Sequence, residues 1–298
     1  MRVLILGLGY TGRELAERLD ESHDVIATVT NKDKTDRGDV KWPVEQFQLE
    51  NPDTIQTLLD KQGWLEGPPI SLVFTAGPPR LDNNEDSLAL LENFLESLPL
   101  ERLRSFIYLS STSVYGDRDG NWVDETAQLD PVSRSGNLKM NCERLLDSKL
   151  PHSTANVIVR PGGIYGPGRN SARRYLSDDY ELVGEGSKWV NRIHVVDLAR
   201  IIVEVLPLTQ DETLNAVDNN PVRLRKLLKF LYEKTGRDFE DLTRISWDEA
   251  ERKYSEMKLG LLKPSKRVSS RQLIEQYNFE FEYPDVYSGL NALMESEE

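Results

Sequence analysis

The chain opens with a nearly unbroken apolar run, Arg2-Val3-Leu4-Ile5-Leu6, the pattern of a strand covered on both faces of a parallel sheet. It leads into Gly7-Leu8-Gly9-Tyr10-Thr11-Gly12, after which Leu15, Ala16 and Leu19 share one helical face. A second apolar run follows at Val25-Ile26-Ala27-Thr28-Val29. Similar runs at Gln46–Leu49, Ser71–Phe74, Ser105–Leu109, Asn156–Val159 and Leu214–Val217 predict further strands. Between them the apolar period lengthens. Ile55, Leu58 and Leu59 mark a helix opened by Asn51-Pro52, and Leu88, Leu91, Leu95 and Leu98 mark another. Asp197 reads as the cap of a helix through Leu198, Ile201, Ile202 and Val205. Pro221 and Val222 lead a helix to Tyr232, and Trp247 to Lys258 reads as helical.

Strand and helix alternate from residue 1 onward, which predicts an α/β fold with a doubly wound parallel sheet. Beyond Pro161 the pattern loosens, and Gly162 to Gly186 is rich in glycine, arginine and acids. The expected division is a Rossmann domain over residues 1–165, rejoined by 191–217. Residues 166–190 and 218–298 would then form a small α+β substrate lobe at the carboxyl end.

Strand, glycine loop, helix and strand within about 30 residues form a dinucleotide-binding βαβ unit. Gly7 permits the tight turn off the strand, Gly9 leaves space for a pyrophosphate, and Gly12 lets the helix settle on the sheet. The helix amino terminus then offers free N–H groups and the positive end of its dipole. Gly7, Leu8, Gly9, Tyr10, Thr11 and Gly12 are therefore candidate cofactor contacts. An NAD site usually has an acid at the end of the second strand for the ribose 2′-OH. Here the segment is Thr28-Val29-Thr30-Asn31-Lys32, with no acid before Asp33. Thr30, Asn31 and Lys32 suit a 2′-phosphate, which favours NADP over NAD, although Asn31 to Lys34 also reads as a plain solvated turn. Ala76, Gly77 and Pro78 follow the fourth strand, where open sheets bind ligands, and their small size suits a cofactor lying on them.

Composition narrows the class. The 298 residues carry a formal net charge of −13, with 38% hydrophobic and 29% charged residues, as expected of a soluble globular chain. That charge argues against a nucleic-acid partner, and no apolar run approaches a membrane span. The first strand begins at once, leaving no room for a signal peptide. One cysteine, Cys142, excludes an internal disulfide, and His23, His152 and His194 lack metal-ligand spacing. The expectation is a cytoplasmic protein with a small-molecule substrate, no metal, no membrane and no nucleic-acid partner.

Four segments together resemble the extended short-chain dehydrogenase/reductase family, also called the NAD-dependent epimerase/dehydratase family. They are Gly7–Gly12, Ser110-Ser111-Thr112-Ser113-Val114-Tyr115-Gly116, Arg160-Pro161-Gly162-Gly163-Ile164-Tyr165-Gly166-Pro167-Gly168, and Arg192-Ile193-His194-Val195-Val196-Asp197-Leu198-Ala199. Lys266-Arg267-Val268-Ser269-Ser270 is also similar to the end of some members. The resemblance implies that Ser111 orients a substrate oxygen and that Lys139 holds the nicotinamide ribose. It implies Gln48 and Leu49 beside the adenine, and Pro161, Gly162 and Gly163 over the nicotinamide side. It also makes a homodimer through the Lys139 helix conceivable.

One position departs from the family. Its chemistry uses a tyrosine four residues before the lysine, whose phenol exchanges a proton while hydride moves. Here Ser135 stands four residues before Lys139. A serine hydroxyl is far less acidic than a phenol and shorter by a ring. Two readings stay open: an atypical oxidoreductase or epimerase acting on a small polar carbonyl or sugar-like substrate, and a catalytically silent NAD(P)-binding sensor or assembly factor. His194 reads as a satisfied buried imidazole. Arg169, Arg173 and Arg174 are either an anion clamp or balance for nearby surface acids.

Overall fold

The computed structural model describes residues 1–32, 40–79, 81–169 and 174–296. The first crossover is β1 (Arg2–Leu6), α1 (Tyr10–Arg18) and β2 (Asp24–Val29). Then come β3 (Val44–Gln46), α2 (Thr54–Lys61), β4 (Ile70–Phe74), α3 (Asn84–Ser97) and β5 (Leu103–Leu109). Helix α4 (Arg134–Lys149), β6 (Ala155–Pro161), α5 (Val195–Val205), β7 (Glu212–Ala216) and α6 (Leu224–Lys234) complete the main elements. One seven-stranded sheet results, in the order β3-β2-β1-β4-β5-β6-β7. The ladders from β3 through to β6 are parallel. Sequence order reverses at β1, which lies between β2 and β4, and the carboxyl ends of strands beside such a reversal are where open sheets bind ligands.

The core follows from the apolar runs. Every residue from Val3 to Leu6, and from Ile70 to Phe74, is buried. Phe74 lies at the centre of an aromatic group, 6.2 Å from Phe94, 6.1 Å from Phe106 and 5.9 Å from Tyr108 between ring centroids. Rings of this size each remove about 150–250 Å² from water and dominate the packing energy.

Two compact units emerge. The first comprises Met1–Ser111, Asn137–Arg160 and Leu198–Leu214. Its returning segment is tied in by Ser71, whose hydroxyl donates to the Leu206 carbonyl (3.0 Å), and by Asp211, which accepts from the Asn156 N–H (2.8 Å).

The second unit comprises Thr112–Gly136, Pro161–Asp197 and Asn215–Glu298. It is built of short pairings, Gly163–Tyr165 with Arg192–His194 and Arg267–Val268 with Trp122–Val123. Its tail motif is threaded through it. Lys266 donates to the Gly116 carbonyl (2.7 Å), Asn191 clasps Lys266 O and Val268 N (3.0 and 2.7 Å), and Ser269 N donates to Val123 O (2.9 Å). Among the described residues, no helix is long and apolar enough to cross a membrane.

Three local expectations change. The third strand ends at Gln46 instead of beginning there, because Asn51 N bonds Gln48 O (3.0 Å) and closes a turn. Asp197 is not a cap: α5 starts two residues earlier, and the Asp197 carboxylate accepts from Glu282 N and Tyr283 N (2.8 and 2.9 Å). The Trp247–Lys258 stretch is two helices, Trp247–Lys253 and Glu256–Leu262, with Ser246 and Ser255 capping each start. A serine able to accept the next helix's N–H groups makes the break favourable.

Candidate functional site

The glycine turn has the expected construction. Gly7 sits at φ +103°, a region side chains avoid, and its N–H donates to Thr28 Oγ1 (3.2 Å). Thr75 Oγ1 donates to Gly7 O (2.6 Å), so the ends of β1, β2 and β4 are held together at this turn. At Gly12 a Cβ would lie 2.2 Å from Gly7 O, and α1 can rest on the turn only without one. Gly9 is different: a Cβ there would meet nothing within 4 Å. It is the N-cap of α1, which has no side-chain cap and no acid in its first turn. That leaves a positive dipole end without a counter-charge, beside open space. The arrangement fits a diphosphate.

Next to the turn is a cavity of about 380 Å³, lined among others by Gly7, Thr30, Phe47, Leu49, Ala76, Gly77 and Pro78. It brings together residues from four of the expected segments. Gln48 is partly buried and donates from Nε2 to Thr30 O (2.9 Å), which fixes its amide and leaves its carbonyl as an acceptor that Asn51 approaches at 3.4 Å. Lys32 is ion-paired, with its Nζ 2.7 Å from Glu45 Oε2. Glu45 also holds Lys61 (3.1 Å). Hydrogen bonding from Lys32, then from Lys61, keeps the Glu45 carboxyl below its usual range. Glu45 lies outside the run expected for the third strand, which starts two residues later than the strand observed.

Helix α4 carries Ser135 in its first turn and Lys139 one turn on. Lys139 Nζ donates to the Leu109 carbonyl at the end of β5 (2.8 Å) and lies 4.7 Å from the centre of the Tyr108 ring. Gly77 makes room for it, since a Cβ at Gly77 would stand 3.0 Å from the ammonium. Ser111, partly exposed, is the second residue after β5. Behind it is a group unnoticed in the sequence as a unit. Ser110 donates to Glu143, and Arg160 grips the same carboxylate through Nε (3.1 Å) and Nη2 (2.7 Å). Both charged side chains are buried, 8% and 6% exposed, so each depends on the other.

Tyr108 is the ring that the Lys139 ammonium faces. It is fully buried beneath Gly77. Burial, with Cys142 and Glu143 adding to it, pushes its pKa well above the ordinary value. Cys142 is itself buried, with its thiol pushed up by the same desolvation.

Other expected residues belong to the second unit. Gly162 N donates to Ala216 O (3.0 Å) and Gly163 N to Asn191 O (2.8 Å), and a Cβ at Gly163 would strike Arg192 Nη1 at 2.6 Å. Pro161 ends β6 and is buried. His194 is 2% exposed, takes the Val196 N–H on Nδ1 (3.3 Å) and lies against Tyr165 and Tyr283. Of the three arginines, Arg174 is exposed and Arg173 lies outside the described residues.

Residues 3–216 match the NAD dependent epimerase/dehydratase family. The chain belongs to that family. Within it, protein YeeZ of Escherichia coli K12 is 27% identical over 209 residues, covering 69% of this chain and 73% of YeeZ. Two solved structures share the fold. The dTDP-glucose 4,6-dehydratase of Bacillus anthracis in complex with NAD aligns with a TM-score of 0.75 at 16% identity, over 99% of this chain and 96% of that one. Human epimerase family protein SDR39U1 with NADPH aligns with a TM-score of 0.70 at 18% identity, over 99% of both chains.

Proposed function

We propose that the amino-terminal unit binds a nicotinamide dinucleotide, NADP(H) in preference to NAD(H). In this reading the protein is an atypical oxidoreductase or epimerase for a small polar carbonyl or sugar-like substrate. The observation that carries it is the juxtaposition at the carboxyl edge of the sheet. There, Gly9 opens onto free space at an uncompensated helix terminus, and a lysine ammonium rests against Gly77. In this reading Gly7 to Gly12 receive the diphosphate. Gln48 and Leu49 flank the adenine, and Thr30, Asn31 and Lys32 face its ribose. Ala76 to Pro78 carry the middle of the dinucleotide. Lys139 holds the second ribose, and Ser111 orients the substrate oxygen. The bound coenzyme supplies hydride transfer. The protein's part is to fix the reactants and to provide a charged neighbour that favours the anionic form of a reacting oxygen.

A second reading, a silent NAD(P)-binding sensor or assembly factor, is favoured by one observation. Position 135 is serine, and the phenol of Tyr108, the ring that Lys139 faces, is buried and made less acidic by its surroundings.

Titration with NADPH and NADH, followed by nucleotide fluorescence, tests the binding step. Gly9→Ala should fold normally, because its Cβ meets nothing, yet lose about tenfold or more in dinucleotide affinity. Failure of both nucleotides to bind the wild-type chain would falsify the reading. A panel of aldehydes, ketones and nucleotide sugars then separates enzyme from sensor. Turnover that rises in Ser135→Tyr supports the first reading, and no turnover in either protein the second.

A further inference from the structure

The end of β2 lacks the acid that normally accepts from a ribose 2′-OH. The neighbouring strand supplies one instead: Glu45 is paired in register with Thr28 across the β2–β3 ladder. It does not present a free carboxylate. Its Oε2 is 2.7 Å from Lys32 Nζ, and its Oε1 is 3.1 Å from Lys61 Nζ. Each oxygen therefore already carries an ammonium. The Glu45 side chain is 19% exposed and Lys32 30%, so this pair is only partly screened by solvent, whereas Lys61 is 65% exposed. Lys32 stands two residues beyond Thr30, which lines the cavity beside the glycine turn.

From this arrangement we propose that Glu45 sets coenzyme selectivity as an internal counter-anion: it competes with the 2′-phosphate of NADP(H) for Lys32 and so restrains the preference for that coenzyme. The inference rests on the dinucleotide reading above. A ribose 2′-phosphate is close to a dianion at neutral pH, and a lysine ammonium binds phosphate as a compact point charge. In the free protein, Glu45 holds Lys32 to its own strand. Binding of the phosphorylated coenzyme replaces that contact with one to the phosphate, so part of the phosphate's attraction is offset by the ion pair lost. The bare ribose of NAD(H) carries no charge at this position and leaves the pair intact. Removing the Glu45 charge should therefore tighten one coenzyme and leave the other nearly unchanged.

The experiment is a double-mutant cycle on the full chain, with wild type, Glu45→Gln, Lys32→Met and the double variant titrated with NADPH and NADH at two salt concentrations. Both side chains are partly exposed, and thermal unfolding of each variant confirms that it is folded. Glu45→Gln is expected to tighten NADPH about fivefold while NADH stays within twofold. Lys32→Met should weaken NADPH and, in the double variant, remove the fivefold gain. The gain should also shrink at high salt, as for any exposed ion pair. An unchanged NADPH-to-NADH ratio in Glu45→Gln overturns the proposal. So does a selective loss of NADH affinity, which would make Glu45 the ribose acceptor. If neither nucleotide binds any of the four proteins, the dinucleotide reading itself is wrong, a result distinct from an unchanged ratio.

Discussion

The two units treat buried charge in different ways. In the first, the Glu143 carboxylate meets a two-pronged arginine and a serine hydroxyl, all buried. In the second, Asp218 is just as buried at 4% exposure, but only one of its oxygens is engaged, by the Asn220 N–H (3.1 Å). Its other oxygen, Oδ2, has no hydrogen-bond partner among the described residues. The consequence is a carboxyl raised well above its usual range. Burial is the largest cause, reinforced by Asp285 and Asp197 against the opposing Asn220 N–H and Arg192. Two lysines of the same unit follow suit. Lys266 and Lys188 rest on backbone carbonyls, and burial lowers each to about 8. A buried charge with its counter-charge acts as a fixed strut, whereas one without it drifts toward its neutral form.

The sharpest way to break this contrast is to remove a partner from the strut. Glu143→Ala leaves the Arg160 guanidinium buried and unpaired, and is expected to cost about 3–5 kcal/mol, read as a large fall in thermal unfolding temperature. A loss under about 1 kcal/mol would show that the pair is as dispensable as a surface one. The opposite change should help. Asp218→Asn keeps the shape without the charge and is expected to raise stability at pH 7 by about 1 kcal/mol. The sign follows from the direction of the shift. Above the unfolded value of 3.8, the folded chain retains a proton that the unfolded chain has released. Stability therefore falls as pH rises through that window, and the asparagine variant should lose the slope. A variant less stable than wild type at neutral pH would mean that the Asp218 carboxylate has a charge partner after all.

The smallest effect belongs to the lysines. Between about 8 and the ordinary lysine value of 10.5, the unfolded chain binds a proton that folded Lys266 has given up. Stability should rise with pH across that range, and Lys266→Met should flatten its share of the rise. Unfolding curves taken every half pH unit from 7.5 to 10.5 would reveal it.

These differences bear on what a sequence discloses. The buried strands are legible because they need no alternation: Val3–Leu6 and Leu72–Phe74 are apolar throughout, and the structure buries both runs. The glycine turn is legible because Gly7 and Gly12 answer to local geometry, a positive φ at one and close approach to the Gly7 carbonyl at the other. Asp197 misled because a cap and a tertiary acceptor look alike locally. Nothing near it in the chain announces Glu282 N and Tyr283 N, 85 and 86 residues away. Glu143 was visible as a residue four after Lys139, but its partners come from the ends of two other strands. Glu45 is hidden because the strand that holds it starts two residues before the expected run. In each case the missing information lay in which segments become neighbours.

The tail motif has a consequence for how the molecule is made. Lys266, Val268 and Ser269 stitch together Gly116, Asn191 and Val123, segments synthesised long before them. These contacts of the second unit cannot form until residues 266–269 have been made. A premature stop or proteolytic nick ahead of Ser265 would therefore leave Gly116, Asn191 and Val123 without these contacts.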